Sequence, residues 1–247
     1  PTLLILIALI LRGVAFEYRH KRDDAAWKRR WDATITFGSL VPAVAWGIVF
    51  ANMLRGVPLT ADHEYAGGLV DLLTPYALLG GATTGALFVT HGAVFLALKT
   101  TGDIRARAGR LATRTGIAAA GLTAAFLTWT LTIRNSPAAA ALAVAAGLAL
   151  AGALAASRVR REGWAFAGTA AAIGLTVATL FTALFPNVLP STLDAAGTLT
   201  TGNAASTPYT LKLMTWVAAV FAPVVLAYQG WTYWVFRKRI GVANIPR

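Results

Sequence analysis

Six stretches of the chain, 35–54, 75–98, 112–133, 138–156, 164–185 and 211–236, are apolar on every side rather than along one stripe. Each is close to the roughly 17–25 residues that a helix needs to cross a bilayer, so each is predicted to span one. A seventh run, PTLLILIALIL at residues 1–11, is too short to span and stops at Arg12. It lacks the basic leader and small-residue cleavage pattern of a signal peptide. It is expected to be the end of a helix that starts before Pro1. The stretch PAAAALAVAAGLALAGALAA could be a flexible linker by composition. Alanine favours helix, however, and small side chains let helices approach closely in lipid. The pattern predicts an all-α, polytopic transmembrane helix bundle forming a single domain, with its amino-terminal helices missing from this chain.

Charge adds a direction to the segments. Of the twenty-two Lys and Arg residues, nineteen follow the odd-numbered segments: seven in 12–30, five in 99–114, three in 158–161 and four in 237–247. The other side receives Arg55, Arg134 and Lys212. This alternation is the bias of cytoplasmic loops toward basic residues, so the carboxyl end is expected in the cytoplasm. It also accounts for the net charge of +12 without nucleic acid. The aromatic residues lie mainly in the apolar segments and form no basic stacking surface, which argues against a nucleic-acid partner.

Two longer connections, 55–74 and 186–210, fall on the sparsely basic side. The second, rich in Gly, Ser, Thr and Asn and broken by Pro186, Pro190 and Pro208, reads as an exposed loop. Neither is long enough for a separate catalytic domain. The absence of cysteine from this sequence removes disulfides, thiolate nucleophiles and thiolate metal ligands from it.

The densest charge lies in RGVAFEYRHKRDDAAWKRRWD, from Arg12 to Asp32. Arg12 and Glu17 sit five positions apart at the edge of the first apolar run, a spacing that allows a pair without requiring one. They suit a snorkelling arginine and a solvated acid, or an acid that exchanges protons with cytoplasmic water. Arg19 follows at the same boundary. Trp27 and Trp31, one helical turn apart, are expected to anchor the interface, with Asp32 capping the next helix.

RGVAFEYR, followed by WKRRWD, GSLVPA and NMLRGVP, resembles the second subunit of the cytochrome bd-type quinol oxidases. LLTPYALLGG, FPNVLPS and LKLMTWVAAVFAPVVLAYQGWTYW are similar to later parts of the same subunit, in the same order, out to about residue 239. The resemblance implies a multi-pass subunit of a bacterial cell-membrane complex that oxidises quinol and reduces dioxygen to water, taking protons from the cytoplasm. It implies haems b and d on a large partner subunit and none on this chain. A small accessory subunit, and a structural quinone or lipid between helices, are further candidates. Arg12 and Glu17 fall on the motif's arginine and acidic residue, which the family implicates in a cytoplasmic proton pathway. The family usually has aspartate there; glutamate keeps the carboxylate and adds one methylene.

The remaining ligand-capable side chains fit that division of labour. His20 and His63 lie in connections and His91 in a spanning segment, so no histidine pair has the spacing of haem ligands. His91, in FVTHGAVF, could bind a cofactor or relay a proton, but a lone histidine is better read as hydrogen-bonded across a helix interface. Met214 is expected to pack near Trp216 rather than ligate haem. No metal site is expected. Two alternatives follow from the same residues. Proline- and glycine-containing helices such as VFAPVVLAY suit the broken sites of a secondary transporter, although no inverted repeat is visible. A non-catalytic respiratory assembly factor would share the family's appearance.

Overall fold

The computed structural model describes residues 2–241; Pro1 and Arg247, placed above in the first apolar run and the last basic set, lie outside the described residues. Seven α-helices occur among them: α1 (Thr2–Tyr18), α2 (Ala25–Arg55), α3 (Pro75–Lys99), α4 (Gly102–Ile133), α5 (Pro137–Arg158), α6 (Glu162–Leu184) and α7 (Pro208–Val235). The last six are long and apolar enough to cross a membrane.

Local chemistry sets where they begin. α3, α5 and α7 share one signature: Thr74, Ser136 and Thr207 cap them through side-chain oxygens, and a proline follows each cap. The hydroxyl accepts a free first-turn amide, and proline at the first helical position loses nothing because its amide would have been unbonded. α2 starts at Ala25, before its apolar run, because Asp24 accepts from the amides of Ala26 and Trp27 at 3.0 and 3.3 Å. α4 likewise starts at Gly102, ahead of its apolar run. Arginine and lysine are good helix formers, so both helices continue past the lipid into water with their charges attached.

Small residues bring the spans together. α1 packs on α2, α2 on α3, and α3, α4, α5 and α6 form a four-helix group. A Cβ built on Gly47 would lie 2.2 Å from the carbonyl oxygen of Gly80, and one on Gly80 would lie 2.7 Å from that of Gly47. The α2–α3 backbones therefore touch, and the Thr84 hydroxyl donates to the Ala43 carbonyl beside them at 2.7 Å. The alanine-rich stretch is the helix α5, which buries Ala139, Ala146, Leu150 and Ala153 along one face. Toward the sparsely basic end, Tyr76 stacks on Phe126 at 5.2 Å and its hydroxyl bonds that of Thr130 at 2.7 Å.

The two longer connections pack on each other. Asn187–Leu189 pairs antiparallel with Leu199–Thr200. Val57 bridges to Ser191, whose hydroxyl donates to the Leu59 carbonyl at 2.8 Å. His63 meets the carbonyl of Gly197 at 3.1 Å.

α7 differs from the rest, with no residue buried within this chain. This corrects the expectation for Met214, which is 60% exposed while Trp216 is 66% exposed. Two residues along a helix is about 200° of rotation, so the two side chains leave α7 in nearly opposite directions.

Candidate functional site

The basic segments gather at one end of the bundle, where the sequence placed its candidate proton pathway. Arg12 lies on α1, half-buried, with its guanidinium 5.7 Å from the Phe16 ring centroid. Its backbone is pressed against α2: a Cβ on Gly38 would lie 2.8 Å from Arg12 Cβ and 2.7 Å from the carbonyl oxygen of Ala8. Glu17, near the carboxyl end of α1, has a side chain 73% exposed and pairs with Lys21 at 3.3 Å. Arg12 and Glu17 therefore form no ion pair, because five residues of helix turn them about 140° apart. Glu17 is exposed on this chain; Arg12 lies five residues nearer the apolar run.

The turn between α1 and α2 is held by side chains from both. Arg19 grips Asp32 with two hydrogen bonds, Nε to Oδ1 at 2.5 Å and Nη2 to Oδ2 at 3.2 Å. The hydrogen bond that Arg19 donates to Asp32, and then the charge of Asp32, raises the guanidinium above its ordinary pKa. Asp32 thus does not cap α2 as expected; it lies inside the helix, and Asp24 makes the cap. Trp27 donates from Nε1 to the Tyr18 carbonyl at 2.9 Å and meets Trp31 edge-on at 5.6 Å. Trp31 in turn lies 5.5 Å from the Tyr18 ring. Across the turn, the Lys28 ammonium holds the Asp23 carboxyl below its usual range, first through a hydrogen bond and then through its charge.

His91 sits elsewhere, at the α3–α6 contact. Its Nδ1 is 2.7 Å from the Thr169 hydroxyl and its ring stacks on Phe166 at 4.6 Å. Met214 and Trp216, on α7, are not brought to any of these residues.

A second cluster at the basic end was not anticipated. Glu162, at the start of α6, has a side chain only 12% exposed. It accepts from Arg105 Nε of α4 at 2.9 Å, and Arg239, beyond α7, reaches its other oxygen at 3.4 Å. Lys99, ending α3, donates to the carbonyl of Phe236 at 2.8 Å, and Ile240 donates to that of Lys99 at 2.8 Å. Three of the four basic connections are thereby tied into one surface. One sequence signal pointed there: Glu162 is the single acidic residue between Asp103 and Asp194, and it directly follows Arg160 and Arg161 in RVRREGW.

The chain also matches known proteins across almost its whole length. Residues 1–236 fit the family described as cytochrome bd terminal oxidase subunit II. The chain is 37% identical to the cytochrome bd ubiquinol oxidase subunit 2 of Bacillus subtilis, over 97% of this chain and 72% of that protein. It is 31% identical to the cytochrome bd-I ubiquinol oxidase subunit 2 of Escherichia coli K12, over 99% and 75%. To the probable cytochrome oxidase subunit 2 of Haemophilus influenzae it is 33% identical, over 93% and 71%. With these matches and its six membrane-length apolar helices, the chain is a multi-pass membrane protein belonging to the cytochrome bd terminal oxidase subunit II family.

Proposed function

We propose that this chain is the non-haem supporting subunit of a bacterial membrane oxidase that oxidises quinol and reduces dioxygen to water, and that its basic end admits protons from the cytoplasm. The family match over residues 1–236 carries this reading. Haems b and d belong, on this reading, to the large partner subunit. The absence of a histidine pair with ligand spacing in the sequence supports this division, with His20 and His63 in connections and His91 alone in a spanning helix. The transporter alternative loses its basis with the family assignment.

The proton-access reading rests on Glu17 and Arg12. Glu17 is an exposed acid near the carboxyl end of an apolar helix. Arg12 lies about 7.5 Å further along the axis, where its charge would bias a proton or carboxylate near the membrane boundary. The α1–α2 clamp made by Arg19, Asp32, Trp27 and Trp31 holds that end of α1 in place.

Purification through a tag on this chain tests the reading. The recovered complex should contain a larger haem-bearing subunit, show haem bands on reduction and consume oxygen with added quinol. The chain expressed by itself should retain no stoichiometric haem. Haem held by this chain alone and lost in His91→Ala would overturn the division of labour. Recovery of this chain from mature oxidase at far below one copy per haem-bearing subunit would instead mark an assembly factor.

Topology has its own test. Single cysteines at Arg107 and Asp194, both exposed, each add a label to a stretch that has no cysteine of its own. An impermeant thiol reagent on intact cells should modify the Asp194→Cys protein and spare Arg107→Cys until the membrane is opened. Labelling of both from outside would refute a cytoplasmic basic end.

A further inference from the structure

Between the amino-terminal turns of α4 and the junction of α5 and α6 lies a cavity of about 660 Å3. Five arginines line it, Arg105, Arg110 and Arg114 from α4 with Arg158 and Arg160 from the α5 end, and Glu162 supplies the lone carboxylate. Arg105 is committed to Glu162. Among the described residues, Arg110, Arg114, Arg158 and Arg160 form no ion pair. The general bias toward basic loops explains which side these residues are on. It does not explain why they converge on one concavity, where mutual repulsion opposes them.

Arg160 makes the convergence more pointed. It adopts φ +58°, the left-handed conformation, directly after α5. Its amide bonds the Ser157 carbonyl at 3.1 Å and the next amide, of Arg161, bonds that of Ala156 at 2.9 Å. This helix-ending turn ordinarily takes glycine, because a side chain in that conformation is strained. Here the strained position carries a guanidinium that lines the cavity.

We propose that this concavity binds a phosphate-bearing anion through Arg110, Arg114, Arg158 and Arg160. Guanidinium groups suit phosphate because their paired N–H donors match its oxygens. The surroundings favour a phospholipid headgroup as the source. Ile104, Leu111 and Val159, each beside a lining residue in sequence, are 46–66% exposed, as side chains that meet acyl chains and the headgroup layer would be. A soluble phosphate compound would use the same arginines without need of exposed apolar neighbours.

The assembled complex, delipidated and titrated with phosphatidylglycerol or phosphatidylcholine in mixed micelles, tests this. The anionic lipid should bind more tightly, since the choline ammonium is repelled by the arginines. Arg158→Gln combined with Arg160→Gly should weaken its binding about tenfold or more, from the loss of two cationic contacts. Glycine at 160 relieves the strained turn, so the variant should keep its fold and its haem content. A photoreactive phosphatidylglycerol should crosslink to peptides of α4 and α5. If inorganic phosphate competes at millimolar concentration and binds as well as the lipid, the site serves a solute; if only the lipid binds, it serves the membrane. Equal binding of the two lipids with no phosphate binding, or anion binding unchanged in the double variant, would overturn the proposal.

Discussion

Gly47→Ala should sharply lower both the yield and the thermal stability of the assembled protein. The added methyl would lie 2.2 Å from the Gly80 carbonyl oxygen and 2.2 Å from the Thr84 hydroxyl. A hydroxyl can rotate away, but a helical carbonyl cannot, so α2 and α3 have to separate. Overpacking of this kind costs about 1–3 kcal/mol. Separation also breaks the Thr84 hydrogen bond to Ala43, whose loss costs about 1 kcal/mol more. Gly92→Ala on α3 is the matched control, because its added methyl meets nothing within 4 Å of this chain. Alanine is intrinsically the better helix former by about 1 kcal/mol, so the control should melt no lower than wild type. Melting of the purified complex followed by haem absorbance would compare the two. Equal melting temperatures would mean that the α2–α3 contact yields without cost.

Glu17→Gln should slow quinol-driven oxygen uptake per haem by about tenfold, equivalent to a barrier increase of about 1.4 kcal/mol. Assembly and haem content should stay near wild type. The structure makes this variant informative because Glu17 is largely exposed on this chain and its ion pair with Lys21 is of the surface kind that contributes little to stability. Glutamine preserves size and removes the exchangeable carboxyl proton. Glu17→Asp should retain more activity than Glu17→Gln, because it restores a carboxylate. Arg12→Ala discriminates less well, since Arg12 also covers Phe16 at the α1 boundary. Turnover and proton uptake in reconstituted vesicles would measure the effect. Wild-type values in fully assembled Glu17→Gln enzyme would leave Glu17 as a boundary residue and the family assignment untouched.

Both outcomes depend on features that differ in how they were written into the chain. The Glu17 position was legible from RGVAFEYR, where an acid and two arginines interrupt the junction of an apolar run and a charged turn. Gly47 was not. It is one of 23 glycines, and nothing local separates it from Gly92, which faces open space. Which glycine carries a helix contact depends on the rotation of two helices against each other, a relation between residues far apart in the chain. Asp32 shows the same limit at short range. Asp24 and Asp32 both precede apolar residues, and the choice of cap turned on whether WKRRW would join the helix, which it does.

Hydropathy by itself determined that this chain is a membrane bundle, because an apolar run of bilayer length has one stable arrangement in lipid, a helix with every backbone bond made internally. The distribution of arginine and lysine marked which stretches lie outside the apolar spans, since each charge is kept from lipid by its own cost of desolvation. Tertiary structure alone decided which polar residues meet. It separated Arg12 from Glu17 by the pitch of α1, joined Arg19 to Asp32 across a turn, and gathered Arg105, Glu162 and Arg239 from three distant segments. It also left α7 without a buried residue in this chain, although its composition matches that of the packed helices. Water and lipid act on each segment independently, so their effects can be read one segment at a time. Ion pairs and close backbone contacts depend on the relative rotation and depth of two helices, and these are set only when the bundle packs.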